Sequence, residues 1–341
     1  MNISVISIDL AKNVFQICVL NQAHKVVLNK KVKRDDLLNQ LRQYEPTKVA
    51  MEACYSANYW GREIIKLGHS VDLIPAIKVK PFVQGNKNDA NDALAIAEAS
   101  FRPNIHFVRP KSLEQQDIQC LQRIRERHVK QRTAISNQIR GFLADYGIII
   151  EKKIHKIRAA LPEILEDVNQ PITVIARQFI NDLYQEMLIK DQQVKATEEQ
   201  LHSLLLINPD YKRIQQVPGV GPVVAAGTIA AIGDGKQFKN GRQFAAWIGV
   251  TPKQFASGEN DYHGGITKRG NRQLRTLFIH GARALMNWCY KYNDRFNLWI
   301  QSLMETKPAS KVIVALANKL ARMTWAVLAK NEDFKTPSYA I

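Results

Sequence analysis

Cysteine is scarce in this sequence, and its four copies (Cys18, Cys54, Cys120 and Cys289) lie far apart with no CxxC pair among them. That spacing argues against a zinc ribbon and a disulfide framework and fits a reducing compartment, so a cytoplasmic protein is expected. No run of about 18 or more apolar residues occurs, so neither a transmembrane helix nor a membrane partner is expected. The opening stretch MNISVISIDLAKNV lacks the basic-then-apolar layout of a signal peptide and reads as a strand. Internal repeats and low-complexity tracts are missing as well. Acid is in short supply: 31 Asp and Glu stand against 48 Lys and Arg, a net charge of +17. Such an excess favours a polyanionic partner, because each cation placed on a phosphate releases condensed counterions. A ribosome-associated or membrane-surface protein would show the same balance, so charge alone ranks nucleic acid first without settling it.

The chain has 341 residues, 45% of them hydrophobic, enough for about two to three domains with proper cores. Residues 3–9, 14–20 and 24–32 read as short strands joined by turns. Residues 34–44 and 57–67 read as helices, 48–52 and 69–75 as strands, and 89–101 as an alanine-rich helix. The order βββ-α-β-α-β-α is that of an RNase H-like mixed sheet, although a generic α/β domain fits the pattern almost as well. A long helix is expected from Ser112 to about Gly147 and another over 173–206, with Pro162 and Pro171 in the connection. The first carries Arg123, Arg125, Arg127, Lys130, Arg132 and Arg140 against only Glu126 between 121 and 140. A solvated helical hairpin and a nucleic-acid-binding or dimerising arm explain that face equally well. Beyond 207 the sequence is rich in Gly and small apolar residues. It includes one helix with Leu274, Leu277, Phe278, Gly281 and Leu285 on a face, and another with Val312, Leu316, Leu320, Met323 and Val327. The fold expected is therefore α/β plus α: a mixed-sheet domain over 1–110, a helical region over 111–206, and a mostly helical domain over 207–341.

Four carboxylates fall where such a sheet would gather them. Asp9 ends the first strand, Glu52 ends the strand KVAME, and Asp89 and Asp92 stand three apart at the start of the alanine-rich helix, on one face. Ligands converge on the crevice at the carboxyl ends of neighbouring strands, and hard oxygen donors suit Mg²⁺. A pair of such ions, roughly 3.5–4 Å apart, could serve a phosphoryl transfer. Singly, each acid has a plain explanation: Asp9 a turn residue, Asp89 a helix N-cap, Glu52 a surface charge. Together, with acids ending otherwise apolar strands, the metal-site reading is the better one.

Two further features stand in the last third. Pro218-Gly219-Val220-Gly221 lies between helical segments and looks like a helix-hairpin-helix motif, in which Gly219 and Gly221 would let backbone amides approach a phosphate; a tight structural turn is the alternative. Between 211 and 290 there are 11 Lys or Arg and three Asp or Glu, so this region carries much of the charge excess. Residues 247–275 read as an extended glycine-bearing loop entering a helix, with Ser257-Gly258 in its middle and Lys253, Lys268, Arg269, Arg272 and Arg275 nearby. A serine there could attack a DNA phosphate and hold it covalently, but loop serines are usually solvated, and His263 gives no obvious general base.

These residues resemble the DEDD transposases of insertion sequences, the family of RNA-guided bridge recombinases, over nearly the whole length. The resemblance rests on S-I-D-L-A-K around Asp9, M-E-A-C-Y around Glu52, N-K-N-D-A-N-D around Asp89 and Asp92, V-P-G-V-G, Q-F-A-A-W-I-G-V-T-P, A-S-G, and G-G-I-T-K-R-G-N-R-Q-L-R followed by I-H-G-A-R-A. The last is similar to the subgroup whose elements carry subterminal inverted repeats. It implies a RuvC-like first domain, a coiled-coil insert, and Asp9, Glu52, Asp89 and Asp92 as metal ligands for Mg²⁺, with Mn²⁺ as a substitute. It further implies Ser257 as the residue forming a covalent phosphoserine, with Ala256 and Glu259 as permissive flanks. The implied partners are double-stranded target and donor DNA, an element-encoded noncoding guide RNA, and further copies of the chain in a dimer or tetramer; the implied setting is the bacterial nucleoid. A Piv-like DNA invertase or a Holliday-junction resolvase using the same acids, or a non-catalytic nucleic-acid architectural protein, would share much of this pattern.

Overall fold

A computed structural model describes residues 2–86, 88–103, 105–257 and 260–335, with backbone only at 260 and 261. The chain divides into two compact units, Met1–Glu114 and Gln115–Ile341.

In the first unit, strands β1 (Ile3–Asp9), β2 (Val14–Asn21) and β3 (Val26–Lys33) form an antiparallel meander. β4 (Lys48–Glu52) and β5 (Ser70–Ile74) add in parallel, giving the five-stranded order β3-β2-β1-β4-β5. The alternation that makes β1 and β2 strands also gives the sheet two buried faces. On one, Ile6, Ile8, Phe15 and Ile17 pack against α1 (Leu37–Leu41) and α2 (Ala57–Lys66). On the other, Val5, Cys18 and Ala50 pack against α3 (Ala76–Val79) and the alanine-rich α4 (Asp89–Ser100), whose small side chains allow a close approach to the sheet. The expected βββ-α-β-α-β-α order is present. The helix expected over 34–44 is shorter, a 3-10 turn at Arg34–Asp36 followed by α1.

The second unit is mostly helical. α5 (Leu113–Asp145), α6 (Ile154–Glu166) and α7 (Val174–Leu205) bury Ile139, Leu143, Leu161 and Ile180 in a core of their own. Pro162 lies inside α6 rather than in an irregular connection. Ion pairs tie α5 to α7: Arg125 to Glu198 at 2.6 Å and Arg132 to Asp191 at 2.8 Å, with Arg158 of α6 also on Asp191. The other end of α5 and α7 joins a second core with α8 (Pro209–Ile214), α9 (Pro222–Ile232), α10 (Gly241–Ile248), α11 (Arg272–Trp288), α12 (Arg295–Thr306) and α13 (Ala309–Lys330). Among the described residues α13 is the one helix long and apolar enough to cross a membrane by composition, yet its Val312–Leu316–Leu320–Val327 stripe is buried in this core.

The stretch expected to be an extended loop is instead an antiparallel hairpin, β6 (Pro252–Ser257) and β7 (Asn260–Ile266). Its cohesion comes from a cross-strand pair, Phe255 and Tyr262, stacked with ring centroids 5.0 Å apart. The polar, glycine-bearing composition hid two strands that pack against each other rather than on a core.

Candidate active site

Each acid is placed by a sheet or helix end. The parallel pairing of Ile8 with Met51 sets the next residues, Asp9 and Glu52, side by side at the carboxyl ends of β1 and β4. Val5, Ser7 and Ala50 face α4, so by alternation Asp9 and Glu52 project on that same side. Asn88 caps α4, its side chain accepting from the Asn91 amide at 2.8 Å, so the capping role first open to Asp89 belongs to its neighbour. Asp89 and Asp92 occupy the first turn of α4. Glu52 is half-buried, and burial, reinforced by the negative charge of Asp92, pushes its carboxyl above the usual range. Asp89 stands farther out, its side chain 60% exposed and 3.3 Å from the Lys31 ammonium.

The first turn of α4 is pinned by residues that sequence reasoning passed over. The buried Ser7 hydroxyl donates to the Ala93 carbonyl at 2.6 Å. Asn29 of β3 donates to the Ala90 carbonyl at 3.1 Å and accepts from the buried Gln16 amide. Gln16 lies opposite Asp9 in the β1–β2 register. The one available signal was polarity out of place: Ser7 and Gln16 each stand between apolar neighbours inside a strand.

Among the described residues, no three His, Cys, Asp or Glu side chains stand close enough to hold a metal ion as they are. The donor set nonetheless suits a hard cation. Glu52 and Asp92 repel one another in a half-buried crevice, and a divalent ion is what relieves such a pair.

In the second unit, Ser257 is the last residue of β6, exposed at the hairpin end. Gly258 and Glu259 lie outside the described residues. Cross-strand pairing puts Ser257 on the same face as Phe255 and Tyr262, while His263, opposite Gln254, is on the other face and is exposed. Lys253, Lys268, Arg269 and Arg272 are exposed at the other end of the hairpin, where Pro252 pairs with Ile266, and in the segment that follows. Arg275 is engaged otherwise, donating to the Ile248 carbonyl at 2.8 Å and to the Arg269 carbonyl at 3.3 Å, so it also fixes the end of α10. On α5, Arg123 and Arg127 are exposed, Lys130 pairs with Glu126 at 2.7 Å, and Arg125 and Arg132 are the ion-paired residues already described.

Gly219 and Gly221 join α8 to α9 in different ways. Gly219 has φ +79°, and a Cβ there would meet Leu285 at 2.8 Å and the Gly281 carbonyl at 3.0 Å, so its glycine is required by packing on α11. A Cβ on Gly221, which caps α9, would meet nothing within 4 Å.

A mixed sheet bearing paired acids at its strand ends, followed by a mostly helical unit, is compatible with a DEDD nuclease-like enzyme. A family model described as "Transposase", for DEDD transposases of the IS110 type, matches residues 6–148, and the model for the "Transposase IS116/IS110/IS902 family" matches 211–297. The transposase for insertion sequence element IS1111A of Coxiella burnetii is 41% identical, covering 98% of this chain and 92% of its own. A probable family 20 transposase of Pseudomonas aeruginosa is 40% identical over 98% and 99% of the two chains. The pilin gene-inverting protein of Moraxella bovis is 20% identical over 98% of both. This chain belongs to the IS116/IS110/IS902 family of insertion-sequence transposases, DNA recombinases whose DEDD acids imply use of a divalent metal.

Proposed function

We propose that the chain cuts and rejoins DNA through two chemical centres, an acid cluster of Asp9, Glu52, Asp89 and Asp92 and the hydroxyl of Ser257. The observation that carries the first is the side-by-side exit of Asp9 and Glu52 on the α4 face, with Asp92 near enough to raise the Glu52 carboxyl. The β3-β2-β1-β4-β5 order supports a RuvC-like reading of this unit. Bound there, Mg²⁺ or Mn²⁺ would neutralise charge on a reacting phosphate. Asp89 would exchange its Lys31 partner for the ion, while Ser7 and Asn29 keep the α4 turn in place.

Ser257 Oγ attacks a backbone phosphorus. The Ser–O–P bond forms as the P–O bond to the departing strand breaks, and the leaving sugar oxygen takes up the serine proton by way of solvent. A hydroxyl of the incoming strand then attacks the phosphoserine and restores the serine. The exposed position of Ser257 at the tip of a hairpin whose base and following segment carry the exposed Lys253, Lys268, Arg269 and Arg272 supports this role, with Gly219, Gly221 and Arg275 as further contacts or supports for DNA. Residues 111–206 serve as the arm that binds nucleic acid through Arg123, Arg127 and Lys130, with Arg125 and Arg132 holding α5 to α7 beneath them, and that brings copies into dimers and tetramers. An element-encoded noncoding RNA selects donor and target by base pairing, and the protein holds backbone and shape.

The test compares Ser257→Ala and Asp9→Asn on labelled DNA carrying the element's ends. Both should abolish strand exchange while leaving DNA binding intact, and only the wild type should yield a protein–DNA adduct that survives denaturing electrophoresis. Cleavage retained by Ser257→Ala would replace the serine route with direct hydrolysis. The pilin gene-inverting relative favours one second reading, inversion of a DNA segment by the same chemistry; substrates with inverted sites read it out.

A further inference from the structure

A second cationic site stands apart from the serine hairpin, in a cleft of about 640 Å³ between α10, α12 and α13. Arg242 of α10 and Lys319, Arg322 and Lys330 of α13 line it, with Trp299 and Trp325 as apolar walls, and among the described residues no acid lines it. Like charges gathered without a counter-charge raise the energy of a fold. Burial and the neighbouring Arg322 lower the Lys319 ammonium pKa. Among the described residues Arg242, Arg322 and Lys330 form no ion pair.

The helices and walls that carry the cluster are held in place. α10 starts against the α13 backbone so closely that a Cβ on Gly241 would lie 2.9 Å from the Arg322 carbonyl, which places Arg242 next to Arg322. The walls are fixed in turn: Trp325 Nε1 donates to the Gly235 carbonyl at 3.0 Å, and Trp299 stacks on Phe296 with Lys319 4.4 Å from its ring centroid. Arg242, Arg322 and Lys330, exposed on one cleft and without an ion pair among the described residues, are open to an anion from outside.

We propose that this cleft is a subsite for an unpaired stretch of nucleic acid, with backbone phosphates on Arg242, Arg322 and Lys330 and a base against the indole-lined wall. This deepens the reading of the chain as a nucleic-acid recombinase and rests on it. A duplex keeps its bases stacked inside and presents phosphates on a convex surface. A concave pocket with apolar walls, within the usual size of small-molecule sites, suits a nucleotide whose base is free. DNA opened during strand exchange and a single-stranded segment of RNA offer this same chemistry.

The experiment measures binding of the full-length protein to labelled oligo-dT, oligo-U and a duplex of equal length across a KCl series. It compares wild type with the double variant Arg242→Gln/Arg322→Gln and with Lys330→Gln. The double variant should bind a single strand about ten-fold more weakly, with a log–log salt slope shallower by roughly 1.4, the release expected for two phosphates on a single strand. Its duplex affinity should change less than about two-fold, and its thermal midpoint should hold or rise, because repulsion has been removed. Loss on oligo-dT, on oligo-U or on both supports the subsite and identifies its source. Unchanged single-strand affinity, or equal loss on the duplex, overturns it. Either result leaves the serine chemistry untouched, which stands or falls on the Ser257 adduct.

Discussion

Glu52 is a single side chain whose burial beside Asp92 works against stability once it is charged. Its raised pKa means that the folded state holds the proton more tightly than the unfolded chain does. The stabilising contribution is therefore complete below the unfolded value of about 4.5 and is lost as pH rises through the folded value. Once ionised, the carboxylate is a burden that a bound cation would lift. Glu52→Gln should raise the metal-free thermal midpoint at pH 7, narrow its difference from wild type near pH 4, and abolish the added stability that Mg²⁺ or Mn²⁺ gives the wild type. Thermal melts with and without the ion at both pH values check this. A metal-dependent gain equal to wild type in Glu52→Gln would remove Glu52 from the ligand set. Ser7 and Gln16 belong to the same scale. Each is a polar residue buried beneath the acids, and their hydrogen bonds decide where the helix carrying Asp89 and Asp92 begins.

At the scale of elements, the turn between α8 and α9 separates packing from function within one motif. Gly219→Ala meets a left-handed backbone and the α11 contact, so it should cost about 1–3 kcal/mol. Gly221→Ala projects its methyl into open space and should leave stability nearly unchanged. If the amides that follow receive a phosphate, it should still weaken DNA binding. Chemical denaturation and DNA titration of the two variants give the comparison, and a Gly221→Ala protein that binds DNA like wild type would make the turn purely structural. The same divergence runs along α5. Arg125 and Arg132 are committed to holding α7 through Glu198 and Asp191, whereas Arg123 and Arg127 face solvent. A charge run on one helix thus serves two purposes that its spacing alone does not separate.

At the scale of the whole molecule, each unit carries a buried thiol that reports on its integrity. Burial pushes Cys18 of the first unit up to about 11 and raises Cys289 of the second, while Cys120 is exposed. In native protein at pH 8 a disulfide reagent should modify Cys120 promptly and reach Cys18 and Cys289 only when denaturant opens the unit that contains each. Mass spectrometry of labelled peptides reads the order. Prompt labelling of Cys18 in native protein would contradict the packed sheet.

The sequence alone determined the strand and helix order of the first unit, the long helices α5 and α7, and the buried stripes of α11 and α13. These follow from apolar periodicity, which is local and survives without a partner. It also carried the family likeness, because short motifs hold their residues together in the chain. Only the tertiary structure decided that Asp9 and Glu52 leave the sheet side by side, that Asn88 rather than Asp89 caps α4, that 252–257 and 260–266 pair as a hairpin, and that Arg242 and Arg322 line one cleft. Pairing register, cap choice and charge encounters depend on residues distant in sequence, and their energies exist only once the chain has closed on itself.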